Sequence, residues 1–371
     1  MHKDWGGKMI SFIHTGDLHL GLQFKSMRFD SNERRFELWH TFERIVHKAM
    51  EEKVDFLFIA GDLYEESYFT YKDIKRVKDI LSKAEAVQIL IAAGNHDTLN
   101  KNSLYYSVEW PDNVTIFGTE GIEKKEFPHK NTAVYGYSWP KGESDEDPFK
   151  CFEGIDKGKT NILLIHGDAI TKDEKYLPLD GEYLQSLGFD YIALGHIHQP
   201  AIISENMVYC GSPEPLSFKE SGDHGIIKGY IENKNTNIDF IPFSSRTFLE
   251  KTIELDGSLG YAQILDKMRS LGTKDELGRN FYKVTLRGLV SPEEKIIASD
   301  MEKELSNDFY YIEIIDETKV DYDLDVLERE NRDNIIGFFI REMKKKDLED
   351  QINRQALYLG LEALMKGRVG L

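Results

Sequence analysis

The sequence predicts an α/β protein with a layered core, followed by a small α+β domain and a helical C-terminal segment. Three observations support this class. In the first two thirds of the chain, short apolar runs alternate with amphipathic stretches, which is typical of strands and helices stacked in layers. The apolar runs are nearly continuous, so their strands should be covered on both faces. The pattern changes near residue 247 and again near residue 323.

Each element of the core is predicted from its periodicity. The strands are short runs rich in β-branched and aromatic residues, and the helices repeat apolar residues at helical spacing opposite a charged face. In chain order the predicted elements are strand 10–14, helix 33–53, strand 54–60, helix 72–83 and strands 87–92, 161–165 and 191–194.

Past residue 247 the same criteria predict a second domain and then helices alone. The second domain should contain strand 251–255, helix 261–271, strand 282–286, helix 291–305 and strand 310–315. The predicted domains are therefore 9–246, 247–322 and 323–371.

The composition limits the classes of function. Lys and Arg total 47 against 65 for Asp and Glu, which gives a formal net charge of −18. This balance argues against a protein that holds nucleic acid by a broadly basic surface or lies on a membrane by a cationic face. Cys151 and Cys210 are the only cysteines, which suits a reducing compartment. No apolar run approaches the roughly 20 residues that span a bilayer. We therefore expect a cytoplasmic protein without a membrane partner.

The residues that could carry chemistry follow the ends of the predicted strands, where the loops of α/β folds converge over one edge of the sheet. Their donors are carboxylate, amide and imidazole groups without a thiolate, a selection that suits Mn²⁺, Fe²⁺ or Zn²⁺. Five blocks occur in this order: Asp17-Leu18-His19, Gly61-Asp62, Gly94-Asn95-His96-Asp97, His166-Gly167 and Gly195-His196-Ile197-His198.

Each block alone has an ordinary structural explanation. Asp-x-His and Gly-Asp are frequent in turns, and His166 could be a buried histidine with satisfied hydrogen bonds. The third and fifth blocks are more specific. In an extended segment the alternate residues His196 and His198 point the same way. Taken together, the five blocks predict a two-metal site of the kind that catalyses reactions at phosphorus.

This set of blocks resembles the calcineurin-like metallophosphoesterases, from residue 10 to about residue 220. The resemblance implies a layered β-sandwich core flanked by helices and two divalent metal ions, with Mn²⁺ expected and Fe²⁺, Zn²⁺ or Mg²⁺ as alternatives. It implies that His96 is the general acid at the leaving oxygen, while Asp97 either orients His96 or is a turn residue. The first metal would be held by Asp17, His19, Asp62 and His198, and the second by Asp62, Asn95, His166 and His196, with Asp62 bridging.

Within that superfamily the sequence is similar to the DNA repair exonuclease branch, the relatives of Mre11 and SbcD, and closest in layout to the YhaO-like bacterial proteins. Residues 15–21, 61–64, 209–214 and 217–220 carry the similarity. It implies a DNA exonuclease, with endonuclease activity as an alternative, in DNA repair or end processing and with metal-bound hydroxide as the nucleophile. One departure is Glu65, which stands where archaeal and phage nucleases often have a histidine.

The same resemblance implies partners. Residues 247–322 would form a capping domain that helps to position DNA, and helix 33–53 would support a homodimer, although packing on the sheet explains its apolar stripe more simply. The C-terminal helices would dock a Rad50- or SbcC-like coiled-coil ATPase, with packing on the chain's own core as the alternative. The apolar residues concerned are Ile335, Ile336, Phe338, Phe339, Ile340, Met343, Leu348, Ile352, Ala356, Leu359, Leu361 and Leu364.

Two other functions stay open at this point. The same core could serve as a phosphoesterase for a small molecule, a cyclic nucleotide or a phosphoprotein, although that activity needs no second domain. The chain could also be a non-catalytic scaffold, although every predicted ligand position carries a competent donor.

Overall fold

The structure, a computed structural model, describes residues 9–24, 31–142, 147–170, 177, 179–292, 294, 296–348 and 350–366. The chain divides into two units, Met1–Thr247 and Phe248–Leu371. The three-domain division stays a prediction, and residues 367–371 of its last segment lie outside the described residues. No helix in the described part of the chain is long and apolar enough to cross a membrane.

The first unit is built on two six-stranded sheets, ordered β12-β11-β1-β2-β3-β4 and β5-β6-β7-β8-β10-β9. The central strands of both sheets are parallel, and antiparallel strands lie towards the edges. The strands are β1 (Ile10–Thr15), β2 (Phe56–Ala60), β3 (Gln88–Ala92), β4 (Val114–Ile116), β5 (Glu123–Phe127), β6 (Thr132–Tyr137), β7 (Thr160–His166), β8 (Tyr191–Gly195), β9 (Ala201–Ser204), β10 (Met207–Tyr209), β11 (Gly225–Glu232) and β12 (Asn235–Pro242).

The apolar strand runs are explained by packing on both faces of each sheet. Side chains alternate along a strand, so Phe12 and Phe58 of the first sheet meet Ile162 of the second in the layer between the sheets. Their neighbours Ile13 and Leu57 instead pack under the helices that cover the first sheet. The predicted fold class, an α/β sandwich flanked by helices, is confirmed.

Helices α1 (Ser31–Glu51) and α2 (Tyr71–Leu81) cover the first sheet, and α3 (Gly181–Ser186) lies in the second half of the unit. The apolar stripe of α1, which includes Trp39, Phe42 and Ile45, is buried in the first-sheet core. Packing on the sheet therefore accounts for the stripe, and the homodimer stays a prediction.

The second unit begins with a parallel three-stranded sheet, β13 (Phe248–Asp256), β14 (Phe281–Val290) and β15 (Tyr311–Val320), ordered as numbered. Helices α4 (Tyr261–Arg269), α5 (Lys274–Leu277) and α6 (Ala298–Leu305) connect these strands. The predicted helix 291–305 was too long at its start. The Glu294 carboxylate accepts a hydrogen bond from the Tyr261 backbone amide, which ties residues just before α6 to the beginning of α4.

Three further helices complete the unit: α7 (Leu324–Glu330), α8 (Ile335–Met343) and α9 (Gln351–Lys366). The C-terminal apolar group is divided between two environments. Ile340 and Leu361 are buried together with Met343 and Leu357 in a cluster between these helices. The side chains of Ile335, Phe338 and Ile352 are instead 63%, 55% and 76% exposed.

A buried ion pair fixes α1 to the segment after β10. The guanidinium of Arg34 donates to Glu214 at 2.8 Å, and both side chains are buried. Glu214 also accepts hydrogen bonds from the Thr41 hydroxyl at 2.6 Å and the Ser245 backbone amide at 2.7 Å. One carboxylate therefore joins a helix, an active-site loop and the end of the first unit.

We predict that Arg34→Met destabilises the first unit by about 3 kcal/mol, because it leaves the Glu214 carboxylate buried without its counter-ion. Urea unfolding followed by tryptophan fluorescence measures this, since all four tryptophans lie in the first 139 residues. The control is Lys48→Met, which removes a partly exposed pair with Glu52 on the same helix and should change stability by less than about 0.5 kcal/mol. Equal losses in the two variants would contradict the prediction.

Candidate metal centre

All the predicted site residues lie at or just past the carboxyl ends of parallel strands. Asp17, Asp62 and Asn95 follow β1, β2 and β3, which are neighbours in the first sheet. His166 ends β7, and His196 follows the adjacent strand β8 of the second sheet. Parallel strands present their carboxyl ends at one edge, so the sandwich brings the two sets of loops together.

The backbone at this edge is unusual. Asp17, His19, Asp62 and His196 all have positive φ, at 49°, 46°, 49° and 104°. Non-glycine residues avoid this region because the Cβ atom crowds the backbone. Such strain persists where the surrounding structure enforces it, and it clusters at functional sites.

Two glycines permit the close approach of the site residues. A Cβ atom at Gly61 would lie 2.2 Å from Nδ1 of His166, and one at Gly94 would lie 2.3 Å from Oδ1 of Asp62. Gly61 also has a φ of +85°. These two glycines therefore leave room for the neighbouring side chains of His166 and Asp62.

The predicted ligands of the first metal, Asp17, His19, Asp62 and His198, are called here the first site. Nε2 of His19 lies 3.0 Å from Nε2 of His198, and Asp17 has a carboxylate oxygen in the same cluster. The opposite nitrogens are engaged: Nδ1 of His19 lies 2.7 Å from Glu65, and Nδ1 of His198 lies 3.0 Å from Glu220. The two carboxylates accept from these Nδ1 atoms, which directs both Nε2 atoms into the cluster. Burial opposes protonation of His198, but its hydrogen bond to Glu220 and the charge of Asp17 outweigh burial and raise its pKa to about 9. Without a cation the His198 ring is therefore protonated, and its Nε2–H donates to Nε2 of His19.

The second site consists of Asp62, Asn95, His166 and His196. His166 donates from Nδ1 to the Ala60 carbonyl at 2.9 Å, and its Nε2 lies 2.9 Å from Oδ1 of Asn95. The ring of His196 lies 5.2 Å from that of His166, between centroids. Burial lowers the pKa of His196 to about 4, so its imidazole is neutral and able to bind a cation.

Asp62 lies between the two sites. Its Oδ2 atom is 3.8 Å from Nε2 of His19 and 3.5 Å from Nε2 of His166. Oδ1 accepts a hydrogen bond from the His96 backbone amide at 2.9 Å. Asp62 would therefore be available to cations held at either site.

The donors present fit two divalent cations. Nε2 of His19 and Nε2 of His198, 3.0 Å apart, share one proton that a cation could replace, and Asp17 and Asp62 are buried carboxylates that need a counter-ion. Oxygen and nitrogen donors of this kind suit first-row divalent metals. Cations held here would neutralise charge on a phosphate group and activate water for attack on phosphorus.

His96 lies beside this cluster with 44% of its side chain exposed. Its Nδ1 is 3.1 Å from Oε2 of Glu65, and this hydrogen bond raises the pKa of His96 to about 9. The imidazole is therefore protonated at neutral pH, as a general acid requires. Burial opposes ionisation of Glu65, but hydrogen bonds from His19 and His96 outweigh it and lower the pKa of Glu65 to about 2.

The sequence did not reveal that Glu65 and Glu220 contribute to the site. Glu65 was marked only as a departure from the nuclease pattern, yet its two oxygens engage His19 and His96. Glu220 was noted only as part of a similar block. An acidic residue three positions after Asp62 was the available signal, but nothing in the sequence placed its carboxylate between two histidines.

Asp97 is fully buried, and its carboxylate accepts hydrogen bonds from the backbone around it. It accepts hydrogen bonds from the amides of Gly94 at 2.6 Å, Leu63 at 2.9 Å and Asp62 at 3.2 Å. The Tyr105 hydroxyl donates to it at 2.6 Å. These contacts position the loops that carry Asp62 and His96, and they favour a structural part for Asp97 over a direct contact with substrate. Its predicted catalytic role is not tested by them.

Comparison with known proteins agrees with this geometry. A family model described as calcineurin-like phosphoesterase matches residues 10–200, which is more than half of the chain. The chain belongs to the calcineurin-like phosphoesterase family. Membership implies a phosphoester hydrolase with two divalent metal ions.

Individual relatives are more distant. The chain is 26% identical over 250 residues to the uncharacterized metallophosphoesterase YhaO of Bacillus subtilis strain 168, and the match covers 62% of this chain and 60% of that protein. It therefore spans less than two thirds of the relative's length.

Two solved structures are similar to the chain over 63% of its length. One is a dimetal phosphatase from Danio rerio, with 13% identity, 99% of that chain covered and a TM-score of 0.39. The other is a purple acid phosphatase from yellow lupin (Lupinus luteus) seeds, with 12% identity, 52% of that chain covered and a TM-score of 0.37.

We predict that Asp97→Ala destabilises the fold more than His96→Ala does, because Asp97 holds the backbone whereas His96 lies at the edge of the cluster. Asp97→Ala should lower the free energy of unfolding by about 3 kcal/mol, because buried amides and the Tyr105 hydroxyl lose their acceptor. His96→Ala should lower it by less, about 1 kcal/mol, because its ion pair with Glu65 is half exposed and Glu65 keeps its contact with His19. Urea unfolding by tryptophan fluorescence gives both values, and a stable Asp97→Ala protein would refute the structural assignment.

Proposed function

We propose that this phosphoesterase cleaves the phosphodiester bonds of DNA, as an exonuclease in DNA repair or DNA end processing, with Mn²⁺ in its two metal sites. The observation that carries the phosphoester chemistry is the pair of imidazole nitrogens that lie 3.0 Å apart beside two buried carboxylates. The choice of DNA comes from the likeness of residues 15–21, 61–64 and 209–220 to the nuclease branch.

In this proposal different side chains bind the cations and transfer the proton. The first and second sites would hold the cations, and Asp62 belongs to both sites. Glu65 engages Nδ1 of His96, which leaves Nε2 to give a proton to the ribose oxygen as it departs. The leaving group of a phosphodiester, like that of an alkyl phosphomonoester, is an alkoxide that needs that proton.

The residues that resemble the nuclease branch support the proposal indirectly. Leu18, Leu20, Leu63 and Tyr64 are all buried, and Leu20 pairs with Tyr64 in an isolated parallel bridge. They shape the loops that carry His19 and Asp62 and do not lie open to a substrate. These four residues therefore support the proposal only because they resemble the nuclease branch. Any selective contact with DNA must come from other residues.

The proposed partner is a Rad50- or SbcC-like coiled-coil ATPase. Ile335, Phe338 and Ile352 are large apolar side chains that stay exposed on α8 and α9, while their helical neighbours form a shared cluster. The cluster can hold the helices together, which leaves the exposed side chains for an apolar groove of a partner.

We predict that the chain with Mn²⁺ shortens an end-labelled linear duplex, and that His96→Asn slows cleavage in a single turnover by at least about 100-fold. The matched control is His129→Asn, which changes an exposed histidine on the β5–β6 connection and should cut at the wild-type rate. Product lengths on a denaturing gel distinguish digestion from the ends from internal cleavage.

The same preparation tests the other functions. Turnover of p-nitrophenyl phosphate or a cyclic nucleotide far above turnover of DNA would replace the proposal with a small-molecule phosphoesterase. A chain that takes up Mn²⁺ but hydrolyses no phosphoester would support a scaffold.

We predict that Phe338→Ser abolishes co-purification with the coiled-coil ATPase, because it removes the apolar side chain from the proposed contact. Phosphoesterase turnover and the circular dichroism spectrum should not change. Phe339→Ser serves as the comparison, since Phe339 packs against the buried cluster of these helices and its loss should alter their stability instead. Retained binding by a folded Phe338→Ser protein would contradict this docking surface.

A further inference from the structure

We infer that the two metal sites have unequal affinity, and that Glu65 and Glu220 make the first site the tighter one. The inference rests on the proposed function only in that both require the two metal sites. It concerns how the chain's own carboxylates act on those sites, and it can be measured without any substrate.

The first site has a carboxylate behind each of its histidines. Glu65 lies 2.7 Å from Nδ1 of His19, and Glu220 lies 3.0 Å from Nδ1 of His198. Both carboxylates are partly shielded, with side chains 12% and 18% exposed. A carboxylate that accepts the Nδ1 proton makes the imidazole more basic at Nε2, and so a stronger donor to a cation.

Each of the two carboxylates is itself held in place. The second oxygen of Glu65 engages His96. The second oxygen of Glu220 accepts a hydrogen bond from the Leu216 backbone amide at 2.7 Å. The loop that contains Leu216 is anchored by the buried pair of Arg34 and Glu214. Fixed carboxylates lose little entropy when the cation arrives, so their charge acts in full.

The second site is supported differently. Nδ1 of His166 donates to a backbone carbonyl, that of Ala60, and Asn95 is an uncharged ligand. Asp168, which is buried near His196, adds one negative charge on that side. Asp17 and Asp62 lie in both clusters, since Asp17 groups with His166 as well as with His19 and His198. The two sites therefore differ in Glu65 and Glu220 around the first against Asp168 beside the second. Coulomb attraction favours the first site for a divalent cation.

Because of this asymmetry, the occupancy of the second site would vary with the concentration of free Mn²⁺. The first site fills at low free Mn²⁺, and the second fills only as the concentration rises. Turnover that needs both cations would then follow the occupancy of the second site.

The test is calorimetric titration of Mn²⁺ into the full chain after removal of metal by chelator, with no DNA present. Two binding events are expected, with dissociation constants that differ by at least about tenfold. His198→Ala should remove the tight event and leave the weak one, and His166→Ala should remove the weak event and leave the tight one.

Charge-removing variants test the cause. Glu65→Gln and Glu220→Gln should each weaken the tight event by about tenfold and leave the weak event within about twofold. Each has a matched control nearby: Glu66→Gln for the first and Asp223→Asn for the second, both at exposed positions. Circular dichroism verifies the fold of each variant, and either glutamate suffices if the other variant is unstable.

Several results would overturn the inference. These are equal affinities at the two sites, loss of the tight event in His166→Ala, no Mn²⁺ uptake at all, or glutamate variants that weaken binding no more than their controls do. A chain that shows the two expected events but never cuts DNA would instead defeat the proposed substrate and leave this inference standing.

Discussion

The structure depends on one electrostatic arrangement: Nε2 of His19 and Nε2 of His198 lie 3.0 Å apart beside two buried carboxylates, Asp17 and Asp62. Buried carboxylates need a counter-ion, and without a cation the protonated His198, whose pKa is raised to about 9, supplies positive charge there. Divalent cations held by these side chains would take the place of that proton. The polypeptide therefore concentrates negative charge at this edge, and it must hold these side chains in position against their mutual repulsion.

The scaffold meets that demand with contacts that lie outside the cation sites. Parallel strands from two sheets bring the loops to one edge, and predicted ligands such as Asp17 and Asp62 are held in strained left-handed conformations. Two further buried carboxylates fix the loops. Asp97 gathers backbone amides around Asp62 and His96, and Glu214 anchors the segment that leads to Glu220. Buried acids here are therefore of two kinds, those that face the cations and those that hold the backbone.

The sequence predicted the core well because the signals there are local. Apolar runs located β1, β2, β3, β7 and β8, and turn residues after them located the predicted ligands, which the structure brings into one cluster. The other strands of the first unit were missed because they are short, largely polar or interrupted by glycine: β4, β5, β6, β9, β10, β11 and β12. Glu65 and Glu220 were not recognised as supports, because Glu65 meets His19 across 46 positions and Glu220 meets His198 across 22. The C-terminal apolar group was found, but only the helix packing reveals which of its members stay exposed.

The supporting glutamates change how the acidity of the chain bears on phosphate binding. Counting only Asp17 and Asp62 against two divalent cations leaves an excess of two positive charges at the centre. Glu65 and Glu220 lie directly behind the ligands, and including them cancels that excess. The protonated His96, with its pKa raised to about 9 by Glu65, then carries the remaining positive charge near the leaving group. A phosphate is thus drawn by short contacts with the cations and His96, and less by a long-range field. In a chain of net charge −18, a long polyanion needs additional attraction from elsewhere, which a second protein subunit is well suited to provide.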